Sequence, residues 1–267
     1  MIAGCDGTTL AVRLTIGKGE PVAYRLTAAA IVFILSSQFA SADTVDVVKG
    51  DVSWHGFQTP STTGTAFWNN WSLDNSHDCN IGYWLSGVGG CMARGAAFLA
   101  SSPRLTPQYL GDATTGIQFT KAPTTASVTV TNRQEVSAWS ATNEFGWFDT
   151  ATPGILNQLF VGTTAVGASA TFVPSGSYGF YITSKEGTYL STGAGDTQSH
   201  FAVFQLRPNG RYIIGVEDMW VASDRDFQDV VIDVDVSEVP EPASVLLLGT
   251  GLVGLGGASR RRRSSAG

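Results

Sequence analysis

Between residues 126 and 236 the chain is punctuated by Gly, Pro, Asn and Ser at intervals of about 8–12 residues, which leaves room for short strands and little else. Ala126 to Thr131 alternates, with Val128 and Val130 on one face and Ser127 and Thr129 on the other. Gln158 to Gly162, Ala168 to Val173 and Tyr178 to Thr183 are short apolar or aromatic runs, and His200 to Leu206, Arg211 to Val216 and Val230 to Val236 complete the set. Pro208-Asn-Gly210 reads as the turn of a hairpin. The pattern predicts an all-β domain, a sandwich or jelly roll of antiparallel strands. Gly90 to Leu99 is the one weak helical candidate, and no repeat of fixed period is present.

Residues 43–238, the span expected to fold as one domain, hold 19 acidic and 9 basic residues. Such an excess of acid argues against nucleic-acid binding. The domain reads in two parts, 43–118 and 119–238. The first carries Trp54, Trp68, Trp71 and Trp84, interleaved with Asn69, Asn70, Asp74, Asn75, Asp78 and Asn80. Large aromatics are mostly buried, so core packing is the expectation. The alternative is a carbohydrate-binding or glycan-active surface on Trp68, Trp71 and Trp84, with rings stacked on sugars and amides on hydroxyls. Cys79 and Cys91 are the only cysteines in the span. In an oxidising compartment they are expected to pair and close a Gly-rich loop.

One constellation carries chemistry. Glu217, Asp218, Asp224, Asp226 and Asp229 fall within 13 residues in a chain otherwise sparse in charge. Five acids so close repel one another, and Arg225 offsets only part of that. A hard cation would relieve it, and calcium takes oxygen ligands from irregular loops. The expectation is a structural calcium site. A solvated acidic loop and a pair of catalytic carboxylates are the alternatives; nothing in the spacing separates an acid from a nucleophile. The loop is no EF-hand, since the Gly and the final Glu of that pattern are missing. His200 could be a ligand or a base, although a lone histidine at a strand edge is more often structural. No nucleophile elbow is present, and the chain is expected to be no enzyme.

Both ends read as targeting segments. Arg25, the apolar stretch Ala28 to Leu35 and Ala40-Ser-Ala42 have the order of a signal peptide cleaved before Asp43. Residues 1–42 are therefore expected to be a leader, handled by the Sec translocon and signal peptidase, with a true start possible at Val22. At the other end, 239–267, Pro240 and Pro242 precede 17 uncharged residues and then Arg260, Arg261, Arg262 and Arg263. As a helix the run would span about 25 Å, short but workable for a membrane, with the arginines on the cytoplasmic side. Gly249-Thr-Gly-Leu-Val-Gly254 has dinucleotide-site spacing, but an arginine cluster follows where a second strand and an acid are required.

The tail resembles the PEP-CTERM sorting signal of Gram-negative bacteria, on Pro240, Glu241, Pro242, the run Ala243 to Ser259 and Arg260 to Arg263. The resemblance implies transient recognition by an exosortase, a membrane-embedded transpeptidase-like enzyme, and removal of the tail. It also implies passage through the inner membrane to the cell surface or its extracellular polysaccharide. Phe67-Trp-Asn-Asn-Trp-Ser-Leu-Asp74 and Cys79-Asn-Ile-Gly-Tyr-Trp-Leu-Ser-Gly87 look like segments near the start of other proteins with such tails. The second half resembles a domain family of unknown function found in exported bacterial proteins. That likeness rests on Asn143 to Phe148, Tyr178 to Tyr181, His200 to Phe204, Gly215 to Asp218 and Asp224 to Asp229. The family pattern has Asn where Gln228 stands.

Overall fold

A computed structural model describes residues 42–58, 66–69, 80–86, 106–123, 125, 127–135, 137, 140–207, 210–221 and 223–236. The leader, both cysteines, Trp71, His77, the Gly90 to Leu99 stretch and the tail with its Pro-Glu-Pro and arginines lie outside the described residues.

The described residues form two antiparallel sheets. The strands are β1 (Thr44–Lys49), β2 (Trp54–Gly56), β3 (Thr106–Leu110), β4 (Gly116–Thr120), β5 (Val128–Glu135), β6 (Glu144–Asp149) and β7 (Leu156–Val161). They continue with β8 (Ser169–Phe172), β9 (Tyr178–Thr183), β10 (Thr188–Leu190), β11 (Phe201–Arg207), β12 (Arg211–Val216) and β13 (Val230–Asp235). One sheet has the order β1-β4-β9-β6-β7, with β10 also on β9; the other runs β2-β3-β11-β12-β13-β5-β8. The all-β expectation holds, as a sandwich. The hairpin expected at Gly210 joins β11 to β12, with Leu206 opposite Arg211 and Gly210 at φ +61°.

Period-2 alternation turns one face of each sheet inward. Ile117, Phe119, Phe145, Phe160, Phe180 and Ile182 from the first sheet meet Val128, Val130, Val203, Ile214, Ile232 and Val234 from the second in one core. The aromatic members pack edge-on or offset: Phe119 meets Phe180 at 5.4 Å and 83°, and Tyr212 at 5.2 Å and 90°. Ser191 bridges the narrow seam between β4 and β9, accepting from the Phe180 amide at 3.0 Å and donating to the Ile117 carbonyl at 3.1 Å. Asp43 is buried, and its carboxylate accepts from the Ala122 amide at 2.8 Å, the Tyr178 hydroxyl at 2.9 Å and the Thr125 hydroxyl.

The second sheet is also covered on its outer face. Tyr109, Ala202, Phe204, Leu206, Ile213 and Val231 pack there against Trp68, Ile81, Trp84, Leu85 and Phe227. The cover includes one short helix, α1 (Ile81–Ser86). Asn80 caps it, its Oδ1 accepting from the Tyr83 amide at 3.1 Å while its Nδ2 donates to Asn69 at 3.0 Å. Two of the amides between the tryptophans, Asn80 and Asn69, thus serve as cap and cross-link.

This placement corrects the sugar-surface alternative at Trp68 and Trp84, which are 0% and 1% exposed. Trp68 lies 5.5 Å from both Tyr109 and Phe204, edge to face, so no ring face is left to a sugar. The sheet has a second apolar face to bury, and these rings bury it.

Candidate metal centre

The five acids sit where β12 ends and β13 begins. The Glu217 amide donates to the His200 carbonyl at 2.9 Å and extends the β11–β12 ladder by one residue. Its side chain is 1% exposed, and its Oε2 accepts from the Phe227 amide at 3.5 Å. Asp218, also 1% exposed, is fixed from the far side of the strand: its Oδ2 accepts from Asn143 at 2.8 Å and from the Ser137 hydroxyl. Its amide donates to Asp229 Oδ2 at 3.0 Å.

Asp224 and Asp226 reach the same place through a strained turn. Arg225 and Phe227 both lie at φ +55°, in the left-handed region that non-Gly residues rarely adopt. Such conformations cost on the order of 1–3 kcal/mol each and persist where the surroundings enforce them. The enforcement is visible. Phe227 is 1% exposed and packs edge-on against Phe67 at 5.4 Å. The Ile81 amide, at the start of α1, donates to the Asp226 carbonyl at 2.8 Å. A Cβ on Gly215 would stand 2.4 Å from the Phe227 carbonyl oxygen, so β12 admits the loop only because that residue is Gly.

Two sets of oxygens converge. Glu217, Asp224 and Asp226 each bring one carboxylate oxygen within 4.8 Å of the others; Glu217, Asp218 and Asp229 do the same. All five expected residues therefore belong to one constellation. Burial and then the neighbouring Asp224 and Glu217 carboxylates raise Asp226 to about 8. Burial and mutual repulsion push Glu217 and Asp229 upward as well. Asp226 Oδ1 accepts from the Gln228 amide at 3.1 Å, whereas its Oδ2 is buried with no hydrogen-bond partner. Arg225 lies with its guanidinium 4.4 Å over the Trp220 ring, and no ion pair joins it to a carboxylate among the described residues.

His200 is held outside the two sets. It is buried, its Nδ1–H donates to the Glu217 carbonyl at 2.8 Å, and its ring stacks on Tyr189 at 3.6 Å. Burial lowers its basicity. Through Nδ1 the ring braces the Glu217 backbone. The Gln228 Oε1 accepts from Gln134 on β5 at 2.7 Å, while its side chain also hydrogen-bonds Asp226. Sequence reasoning did not find Ser137, Asn143 and Ile81 as supports of the site, because they come from distant segments, nor Gly215, whose part depends on how closely the Phe227 carbonyl approaches it.

Residues 238–263 match the PEP-CTERM protein-sorting motif. The motif implies export and processing by an exosortase. Residues 169–237 match a domain of unknown function, DUF4114. No curated protein and no solved structure matches the chain. The DUF4114 match holds all five acids and spans β8 to β13, while both sheets take their remaining strands from residues before it. The sandwich is thus larger than the match, and the DUF4114 segment completes its core with β1 to β7.

Proposed function

We propose that this exosortase-sorted protein is a non-enzymatic component of the cell surface or extracellular polysaccharide, its sandwich braced by calcium at Glu217, Asp218, Asp224, Asp226 and Asp229. The observation that carries the reading is Asp226, a 1% exposed carboxylate with one oxygen unpartnered, beside the equally buried Glu217 and Asp218 and the half-buried Asp224 and Asp229. A buried cluster of that kind must hold either protons or a cation. An all-oxygen donor set in an irregular loop suits calcium better than the softer transition metals. The brace fits the itinerary. Extracellular calcium sites bind at about 10⁻⁴–10⁻³ M, so the ion is taken up once the chain leaves the cell. The carboxylate oxygens converge on one another within 4.8 Å in each set, which supports a structural role over a catalytic one. Exosortase and the export machinery are its transient partners.

Thermal unfolding of the full chain in detergent tests the brace. Calcium at 100 times Kd should add about 2.7 kcal/mol to the folded state and raise Tm by several degrees over the chelated protein. A Tm unmoved by calcium or chelator would remove the calcium reading.

A further inference from the structure

We infer that the cluster holds two divalent cations side by side, with the Glu217 carboxylate shared between them. The inference rests on the calcium reading above and gives it a stoichiometry. Two oxygens bound to one calcium at 2.3–2.6 Å can be no more than about 4.6–5.2 Å apart. Glu217, Asp224 and Asp226 meet that limit as one trio, and Glu217, Asp218 and Asp229 meet it as another. Glu217 is the member common to both.

The trios are built independently. Asp218 is oriented by Ser137 and Asn143, from the segment between β5 and β6. Asp224 and Asp226 are oriented by the left-handed turn at Arg225 and Phe227, which the Ile81 amide and the outer core hold in place. A carboxylate between two such sets can give one oxygen to each side, and paired metal ions in proteins commonly stand about 3.5–4 Å apart. Charge favours the pair. One divalent ion among five carboxylates, three of them buried and two half-buried, leaves three negative charges, and Arg225 is committed to Trp220. Two ions leave a single negative charge. The unpartnered Asp226 Oδ2 supplies a donor for the first position that no protein group uses.

Native mass spectrometry of the full chain in detergent, titrated with calcium chloride, counts the ions. Two calcium ions per chain are expected. One would overturn the pair and leave the calcium reading standing; none would overturn both. Asp224→Asn and Asp229→Asn, each with native far-UV circular dichroism, should keep one ion apiece. Glu217→Gln should weaken both sites at least tenfold. Loss of both ions in either Asp→Asn variant with the fold intact would show a single site and overturn the inference. Terbium titration of the unmodified chain gives the same count without a variant: luminescence sensitised by Trp220 should saturate at two equivalents, and saturation at one would overturn the pair.

Discussion

The amide of Ile81 donates to the carbonyl of Asp226 across 2.8 Å, so the first turn of the helix holds the backbone of the acid loop. Through this bond the tryptophan-rich first third and the acidic cluster become one structure. Cover and site should therefore fail together.

Phe227 is the side-chain half of that link. Phe227→Ala should cost about 3–5 kcal/mol through lost burial and the cavity left behind. It should also weaken calcium binding, because the left-handed turn loses its anchor. Urea denaturation with and without calcium measures both effects; a variant that unfolds less readily in calcium by the same margin as the parent would separate cover from site.

Gly215→Ala adds one methyl group against the Phe227 carbonyl, where only 2.4 Å is available. The loop must move outward, at about 1–3 kcal/mol. The expected signature is a smaller calcium-induced rise in Tm than in the parent, read by differential scanning calorimetry.

The chelated protein should grow less stable as pH rises from about 4 to about 8. Asp226 ionises near 3.8 when unfolded and near 8 when folded. Below both values the two states hold the same proton, and the favourable contribution is fully present. Above the unfolded value only the folded state keeps the proton, so stability drains away until the folded group ionises. Saturating calcium should reverse the slope, since protons then compete with the ion. Tm against pH in chelator and in calcium reads out both signs.

Asp226→Asn sharpens this test. In chelator near pH 7 it should stabilise the domain, because the ionisation penalty disappears while the shape is kept. In calcium it should destabilise the domain relative to the parent. A variant less stable than the parent in both media would contradict the account.

Asp233 lies on the outer face of β13, 2% exposed, between Arg133 on β5 and Arg211 on β12, at 2.5 Å from each. A bulge at Arg133, skipped in the register between Asn132 and Gln134, accompanies the pairing. Asp233→Ala should cost about 1–3 kcal/mol, as two partly buried guanidinium groups lose a shared acceptor. Chemical denaturation at fixed calcium measures it.

The strands that turn signals bracket were legible. β5, β7, β8, β9, β11, β12 and β13 fall within a few residues of the runs read from alternation. Others were hidden for local reasons. β3 contains Pro107, which cannot donate to a ladder and reads as a breaker. Helix α1 has six residues, too few for a 3.6-residue period to show. The five acids were legible as charge, but their division into two trios was not. It depends on positive φ at Arg225 and Phe227, for which no Gly or Asn gives notice. The burial of Trp68 and Trp84 was the expectation and holds; that they cover the outer face of the second sheet is a property of topology and not of any short segment.

The sorting match begins at residue 238, two residues beyond Val236, and β13 is an interior strand with six paired residues on β12 and six on β5. A pull along the axis of β13 would load its ladders to β12 and β5 together. Both ladders would have to slide at once for that strand to leave, whereas a strand at the rim could peel away one bond at a time. Pulled along that axis, the domain would meet its tether in shear.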